Sequence, residues 1–271
     1  MAAKAQVAII GTGNIGRAMA LGLTDAGRFQ PSEIILTRRN DDQLEDLKQR
    51  GFQVQAENRD AVQRADLIVV AVQPQHLDEL LQEIAPDLDP ARHLLVSVVS
   101  GAEIAAIRKQ TGKEFPIARA MPNTGIALGR SMTCLAMNFD SEKTRDTVVS
   151  LFECVGRTLI IDEEMMIPAT ALCACGIAFF LRAIRAAAQG GIEIGFHADE
   201  ALRMAAQTAL GAAKLVLERP EHPEREIDQV TTPRGCTISG LNEMEHQGFS
   251  SALIKGITTS ARKAESLYEK D

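Results

Sequence analysis

The amino-acid sequence predicts a two-part α/β protein: a doubly wound, mainly parallel sheet followed by an all-helical C-terminal domain. Three observations carry this. Val7–Ile10 is a short apolar run that ends on Gly11-Thr12-Gly13-Asn14-Ile15-Gly16. Strand-like runs then alternate with helical stretches across short loops as far as Ile161. From Met165 onward the chain reads as helix. Alternation of this kind is the pattern of βαβ units in a parallel sheet. The boundary is placed at Asp162, giving domains of residues 1–162 and 163–271.

The first element sets the rest. Val7–Ile10 reads as a buried parallel strand, and the six residues after it fit G-x-G-x-x-G and open an amphipathic helix. Gly11 allows the tight turn, Gly13 lets backbone approach a pyrophosphate, and Gly16 lets the helix pack on the strand. The helix start offers free N–H groups and a partial positive charge to phosphate. Residues 1–162 are therefore expected to form a Rossmann-type dinucleotide-binding domain, with Gly11, Thr12, Gly13, Asn14, Ile15 and Gly16 at the cofactor.

The elements follow in order. A helix over Ile15–Ala26 stops at Gly27, and a strand covers Glu33–Thr37. Asn40 suits an N-cap, with Asp41 and Asp42 in the first turn and Gly51 past the end. A short strand at Gln53–Gln55 and a brief helix at Arg59–Arg64 lead to Asp66–Val72, whose LIVVAV run is that of a fully buried strand. Helix is expected over His76–Ile84, strand over His93–Val99, and helix from Ser100-Gly101 to Gly112. Strands at Phe115–Ala120 and Ser131–Met137, a helix over Ser141–Phe152 and a strand at Thr158–Ile161 complete the first domain. Beyond it come helices over Pro168–Ile194, Asp199–Leu217, Ile238–Gln247 and Ser250–Tyr268.

Composition bounds the function. The chain has 271 residues, 45% hydrophobic and 24% charged, ordinary values for a soluble globular protein. A net charge of −7 gives nucleic-acid binding no electrostatic support, and one tyrosine with no tryptophan gives no stacking platform. Five cysteines without regular spacing suit a reducing compartment, here the cytoplasm. The N-terminus runs straight into the first strand and leaves no room for a signal peptide. The longest uncharged run, Met165–Leu181, is 17 residues and contains Pro168. That is short for a membrane span, so a buried helix is expected. The alanine-rich helical half is expected to need a second copy as its partner, making a homodimer or a dimer-based assembly.

The second strand bears on the cofactor. NAD-binding forms carry an acidic residue about 20 positions after the glycines. Here the strand ends on Thr37-Arg38-Arg39, and Glu33 stands at its wrong end. Two guanidinium groups beside a 2′-phosphate favour NADP, with NAD possible.

By Thr124 the chain resembles the pyrroline-5-carboxylate reductases. The residues that carry the resemblance are Gly11–Gly16, Val72-Gln73-Pro74, Arg119-Ala120-Met121-Pro122-Asn123-Thr124, Leu217-Glu218 with Glu221-His222-Pro223, and Thr231-Thr232-Pro233-Arg234-Gly235-Cys236-Thr237-Ile238. The resemblance implies an NAD(P)H-dependent reductase of the cyclic imine 1-pyrroline-5-carboxylate, forming proline. It also implies a helical domain that dimerises by interleaving helices. Val72, Gln73, Pro74, Met121, Pro122 and Asn123 would flank the cofactor. Two stretches depart from the family. Its S-G-S-x-P-A-Y reads Cys173-Ala174-Cys175-Gly176-Ile177-Ala178-Phe179, and its S-P-G-G-T-T reads Thr232-Pro233-Arg234-Gly235-Cys236-Thr237. These changes fall near the substrate in that family. They leave open a reductase of another cyclic imine, or a dinucleotide-binding paralog without catalysis.

Imine reduction needs hydride at carbon and a proton at nitrogen, so the protein's task is to hold two reactants in line. Thr231–Thr237 is a polar turn before a helix, whose N–H groups can hold a carboxylate. Thr232, Arg234, Gly235, Cys236, Thr237 and Cys175 are the candidate substrate contacts, with Thr237 the candidate catalytic residue. Its hydroxyl can serve the imine nitrogen; it can equally be a plain N-cap. Arg234 can add charge to the site or face solvent.

Other chemistries lack a signature. Cys173 and Cys175 lie two apart, about 200° around a helix, and do not converge on one metal. The histidines at 76, 93, 197, 222 and 246 form no ligand pattern, and no metal is expected. No serine sits in G-x-S-x-G. Glu221-His222-Pro223 reads as a loop. Lys214 is followed four residues on by Glu218, where related β-hydroxyacid dehydrogenases place asparagine, so hydroxyacid oxidation ranks below imine reduction.

Overall fold

The computed structural model describes residues 6–219 and 221–265. Five strand–helix units open the chain: β1 (Val7–Ile10) with α1 (Asn14–Asp25), β2 (Ile34–Thr37) with α2 (Glu45–Gln49), β3 (Gln53–Gln55) with α3 (Asn58–Arg64), β4 (Leu67–Val70) with α4 (Leu77–Ile84), and β5 (Leu94–Ser97) with α5 (Ile104–Thr111). Then come β6 (Ile117–Met121), β7 (Ser131–Met137), α6 (Glu142–Glu153) and β8 (Gly156–Ile160). The strands lie in the order β3-β2-β1-β4-β5-β6-β7-β8, as the doubly wound pattern predicts. Every neighbouring pair is parallel except β6 with β7.

The apolar runs explain the burial. β1, β2, β4 and β5 are buried along their whole length, as strands covered on both faces must be. Successive side chains alternate between the faces. Val7 and Ile9 join Met19 and Leu23 of α1 in one core. Ala8 and Ile10 join Leu77, Leu81 and Ile84 of α4 in the other. Removing a buried leucine side chain from such a core costs about 2–5 kcal/mol.

The order reverses at β1, which pairs with β2 on one side and β4 on the other. Ligands of open α/β sheets bind outside the carboxyl ends of the strands at this switch.

The C-terminal part is α7 (Met166–Ala169), a π-helical segment Thr170–Cys175, α8 (Gly176–Glu193), α9 (Ala198–Glu218), α10 (Pro223–Gln229), α11 (Cys236–His246) and α12 (Phe249–Glu265). No strand lies beyond Ile160 among the described residues. The chain folds into two compact units. One runs through Cys175 and takes in α12 from Ser260; the other is Gly176–Thr259. Within the second unit, α8 and α9 approach closely where a Cβ on Gly191 would stand 3.0 Å from that of Ala201.

Several expectations change. The helix expected from Ser100 begins only at Ile104, because Gly101 turns the chain at φ +84°. The helix expected over Pro168–Ile194 is interrupted by the π-helical segment. Glu221 and His222 lie between helices, as expected, but the helix that follows was not: His222 accepts from Glu224 N at 3.3 Å and caps α10, with Pro223 at its first position. The end expected at Tyr268 lies outside the described residues. The run Met165–Leu181 is not a buried helix within one chain, since Leu172, Phe180 and Leu181 are each more than half exposed. The continuous helical stretch Glu163–Glu193 is long and apolar enough to cross a membrane by length and composition alone, with a mean hydropathy of 1.9. An apolar helix covered by another chain has the same properties. The second unit exposes further large apolar side chains, Ile194, Leu217, Val230 and Ile254 among them.

Candidate functional site

The loop after β1 is built to leave backbone donors free. Gly11 has φ +93°, and a Cβ there would stand 2.7 Å from Val72 Cγ1. A Cβ on Gly16 would meet Gly11 O at 2.6 Å, so only glycine lets α1 sit this close to the loop. Gly13 differs: nothing lies within 4 Å of where its Cβ would point. Gly13 caps α1 without any side-chain hydrogen bond, so the first N–H groups of Asn14, Ile15 and Gly16 have no side chain to receive them. Open space before an uncapped helix start fits a phosphate group.

Thr12 holds this loop to β2. Its N donates to Thr37 O at 2.9 Å and its Oγ1 to the same oxygen at 3.1 Å. Arg38 reaches back with Nη1 to Thr12 O at 2.8 Å. Arg38 is half-buried, whereas Arg39 is exposed. Gly11, Thr12, Gly13, Arg38, Arg39, Val72 and Gln73 all line one cleft of about 540 Å³. The structure thus brings seven of the residues expected at the cofactor together around the β1, β2 and β4 ends; Asn14, Ile15, Gly16, Pro74, Met121, Pro122 and Asn123 do not line this cleft. Pro74, next to Gln73, opens a 3₁₀ turn. The cleft also contains Asn58, His76, Glu79 and Glu83, which no motif marked. Asn58 Oδ1 accepts from Thr37 Oγ1 at 2.7 Å, and its Nδ2 donates to Glu83 at 3.1 Å.

A second group gathers past β6. Met121 and Pro122 are buried, and the Asn123 amide is engaged at both ends. Asn123 Oδ1 accepts from Gly125 N at 2.9 Å, and Nδ2 donates to Cys173 O at 3.3 Å. Asn123 therefore ties the end of β6 to the π-helical segment, where Cys175 also sits. Burial pushes the Cys175 thiol up. Cys173 meets Cys134 of β7, their sulfurs 3.9 Å apart, a pairing that no spacing in the sequence revealed.

The Thr232–Thr237 turn belongs to the second unit. Gly235 N donates to Thr232 O at 2.9 Å across Pro233 and Arg234. Arg234 has φ 60°, the left-handed region, alone among the described non-glycine residues. The N-cap of α11 is Gly235, and it makes no side-chain hydrogen bond. Thr237 is the second residue of the helix and half-buried, which overturns its reading as the N-cap. The backbone N–H groups of Cys236 and Thr237 have no capping side chain, as a carboxylate site requires. Thr232, Arg234 and Cys236 are exposed.

Comparison with known proteins agrees with both halves. A family model described as pyrroline-5-carboxylate reductase dimerisation matches residues 163–267. One described as NADP oxidoreductase, coenzyme F420-dependent, matches residues 6–101. The chain is 54% identical to pyrroline-5-carboxylate reductase 1 of Dictyostelium discoideum over 97% of its own length, but spans only 50% of that protein. It is 43% identical to pyrroline-5-carboxylate reductase 2 of the same organism, over 95% of this chain and 91% of the relative. Among solved structures, a pyrroline-5-carboxylate reductase from Coxiella burnetii has a TM-score of 0.86 at 27% identity, over 98% of this chain and 100% of that one. The NADP-bound pyrroline carboxylate reductase of Plasmodium falciparum shares the fold, with a TM-score of 0.88 at 22% identity over 98% of both chains.

Proposed function

The chain belongs to the pyrroline-5-carboxylate reductase family, and from that premise we propose that it reduces 1-pyrroline-5-carboxylate to proline with NADPH. One observation carries the reading: the 43% identity to a reductase of near-equal length runs through 95% of this chain, so it includes both the nucleotide cleft and the helical half.

NADPH, when bound, supplies the hydride. The residues of this chain hold, orient and polarise. In this reading the backbone of Gly11–Gly16 and the uncapped start of α1 receive the pyrophosphate. Arg39, exposed at the rim, faces the 2′-phosphate, and Arg38 stiffens the loop while offering its remaining donors; NAD is accepted more weakly. Val72, Gln73 and Pro74 flank the nucleotide, and Met121, Pro122 and Asn123 border the nicotinamide. The N–H groups of Arg234–Thr237 grip the substrate carboxylate, and the Thr237 hydroxyl serves the imine nitrogen or that carboxylate. Thr232 and Cys175 complete the substrate surface. A protonated cyclic imine needs no strong acid from the protein, which suits a site built of hydroxyls and backbone. The exposed apolar side chains of the second unit are covered in a homodimer, the state for which a dimerisation domain is built. We place the enzyme in the cytoplasm, soluble, with a small imino acid as its partner.

The test uses purified protein, NADPH and 1-pyrroline-5-carboxylate, following the loss of nicotinamide absorbance, with cofactor binding measured separately. Turnover with saturation in both substrates is expected. Tight NADPH binding without turnover of this imine would overturn the reading.

A further inference from the structure

Cys134 and Cys173 lie 39 positions apart in the chain and meet at 3.9 Å, sulfur to sulfur. Both are free thiols. Cys134 is buried on β7, in a small cluster with Met121, Ala136, Met166 and Ala169, against which Cys173 packs. Most thiols in such surroundings only fill space. Three features set this pair apart.

The first is distance. A disulfide bond is about 2.05 Å long, so the sulfurs need to close by about 1.9 Å. The second is asymmetry. Cys173 is half-buried, and its hydrogen bond with Cys134 holds its thiol below the usual cysteine range. Cys134 is held protonated by the same bond and by burial. Cys173 is thus the more accessible and the more acidic of the two sulfurs, with the buried Cys134 in reach. The third is place. Cys134 is the register partner of Met121 on β6, and Cys173 O accepts from Asn123 Nδ2 at 3.3 Å. The pair therefore brackets Met121–Asn123, and Cys173 lies two residues from Cys175.

We propose that Cys134 and Cys173 are an oxidisable pair whose closure to a disulfide switches the reductase off. The oxidant is a peroxide. The Cys173 thiolate attacks one oxygen of hydrogen peroxide, the O–O bond breaks, and the departing hydroxide takes a proton to become water. Cys173 is then a sulfenic acid. The Cys134 sulfur attacks it and loses its proton; the S–O bond breaks, the S–S bond forms and a second water leaves. Two thiols have lost two electrons, and the peroxide has become two waters. An external dithiol reverses the step by exchange. Closure draws the Cys173 main chain toward β7 and away from its bond with Asn123. A disulfide of this type suits a reducing compartment, where such bonds are transient sensors. The family's serine at position 173 could not form it.

The switch rests on the reductase reading above, so the experiment reads bond and activity separately. Reduced protein is treated with hydrogen peroxide, its remaining thiols are blocked, and its peptides are mapped without reductant. Turnover of 1-pyrroline-5-carboxylate is followed on the same samples. A Cys134–Cys173 cross-linked peptide should appear in step with an activity loss of at least about tenfold, the scale for a small displacement at an active site. Dithiothreitol should restore both. Cys134→Ala should keep the activity of the reduced wild type and resist peroxide, and Cys173→Ser should also resist it. Absence of the cross-link overturns the proposal. So does a cross-link with full activity, or equal peroxide sensitivity in Cys134→Ala. If the reduced wild type turns over no imine, the functional reading fails and the off-switch with it, while the mapped bond still decides whether the pair is oxidisable.

Discussion

Arg119 Nη1 lies 3.0 Å from Glu163 Oε1, and the same carboxylate oxygen accepts from Ile104 N at 2.7 Å. Arg119 stands in the middle of β6 and is only 3% exposed. Glu163 begins the helical stretch of the C-terminal part, so one buried cation joins the sheet, the start of α5 and the first helical turn. Arg119 Nε has no hydrogen-bond partner among the described residues. Removing Glu163 would leave the guanidinium buried and unpaired. Breaking a fully buried pair costs about 3–5 kcal/mol; Glu163 is 34% exposed, so we expect about 2 kcal/mol for Glu163→Ala. Glu163→Gln keeps an acceptor and should lose less. Urea midpoints at constant slope measure both.

The two arginines after β2 should separate by substitution. Arg39→Ala removes an exposed charge and leaves the loop intact, so it should weaken NADPH and spare NADH. A charged hydrogen bond is worth about 1.5–3 kcal/mol, or roughly tenfold to a hundredfold in Kd. Arg38→Ala also frees Thr12 O and should weaken both cofactors. The double variant should still lose more NADPH than NADH affinity. Equal losses in Arg39→Ala would show that this side chain does not read the phosphate.

What could be read in advance follows from range. The β1 strand, the glycines and the arginines lie within one βαβ unit, where spacing in sequence is spacing in the fold, and Gly11, Gly13, Arg38 and Arg39 line one cleft. The all-helical second half was legible because no strand-like run interrupts it after Met165. Four features were not. Cys134 with Cys173, and Arg119 with Glu163, are joined only by tertiary packing, 39 and 44 positions apart. Asn58 enters the cleft because β3 lies beside β2, a neighbour relation that no local pattern encodes. The π-helical segment at Thr170–Cys175 likewise carries no glycine or proline that would mark it in the sequence.

His93 should make stability depend on pH. It is 2% exposed, and burial lowers its pKa. Its Nδ1 accepts from Asp89 N at 2.7 Å, so the neutral ring carries its proton on Nε2, 3.2 Å from Val62 O. Protonation at Nδ1 would destroy the first bond. The unfolded chain therefore binds a proton more readily than the folded one. Stability is retained above the unfolded value near 6.5 and falls as pH drops below it, with a slope approaching about 1.4 kcal/mol per pH unit from this group. The difference in urea midpoint between wild type and His93→Gln should shift between pH 7 and 5. A constant difference would remove His93 from the account.

Arg234 occupies a position that suits glycine. At φ 60° a side chain costs about 1 kcal/mol, and Gly235 N still closes the turn onto Thr232 O. Arg234→Gly should relieve this cost, offset in part by the greater freedom of glycine in the unfolded chain. We expect a Tm at or above that of the wild type. If the guanidinium also serves the substrate carboxylate, KM for the imine should rise while NADPH affinity stays. An unchanged KM would assign Arg234 to solvent.

Thr237 gives the sharpest test of the substrate site. It is the second residue of α11 and half-buried, and the helix is capped by Gly235. Its loss should therefore cost little through capping, since no side chain caps this helix. Thr237→Ala should lower kcat/KM for the imine by about tenfold to a hundredfold, or roughly 1.4–2.7 kcal/mol of transition-state stabilisation. NADPH affinity should hold, because the nucleotide cleft is lined at the β1, β2 and β4 ends whereas Thr237 lies on the helical part. Thr237→Ser keeps a hydroxyl and should recover most of the loss. A purely structural role would instead lower Tm, move both kinetic constants little, and gain nothing specific from serine. A fall in kcat/KM at constant Tm, rescued by serine, places the hydroxyl on the substrate; an active, unaffected Thr237→Ala would take it off.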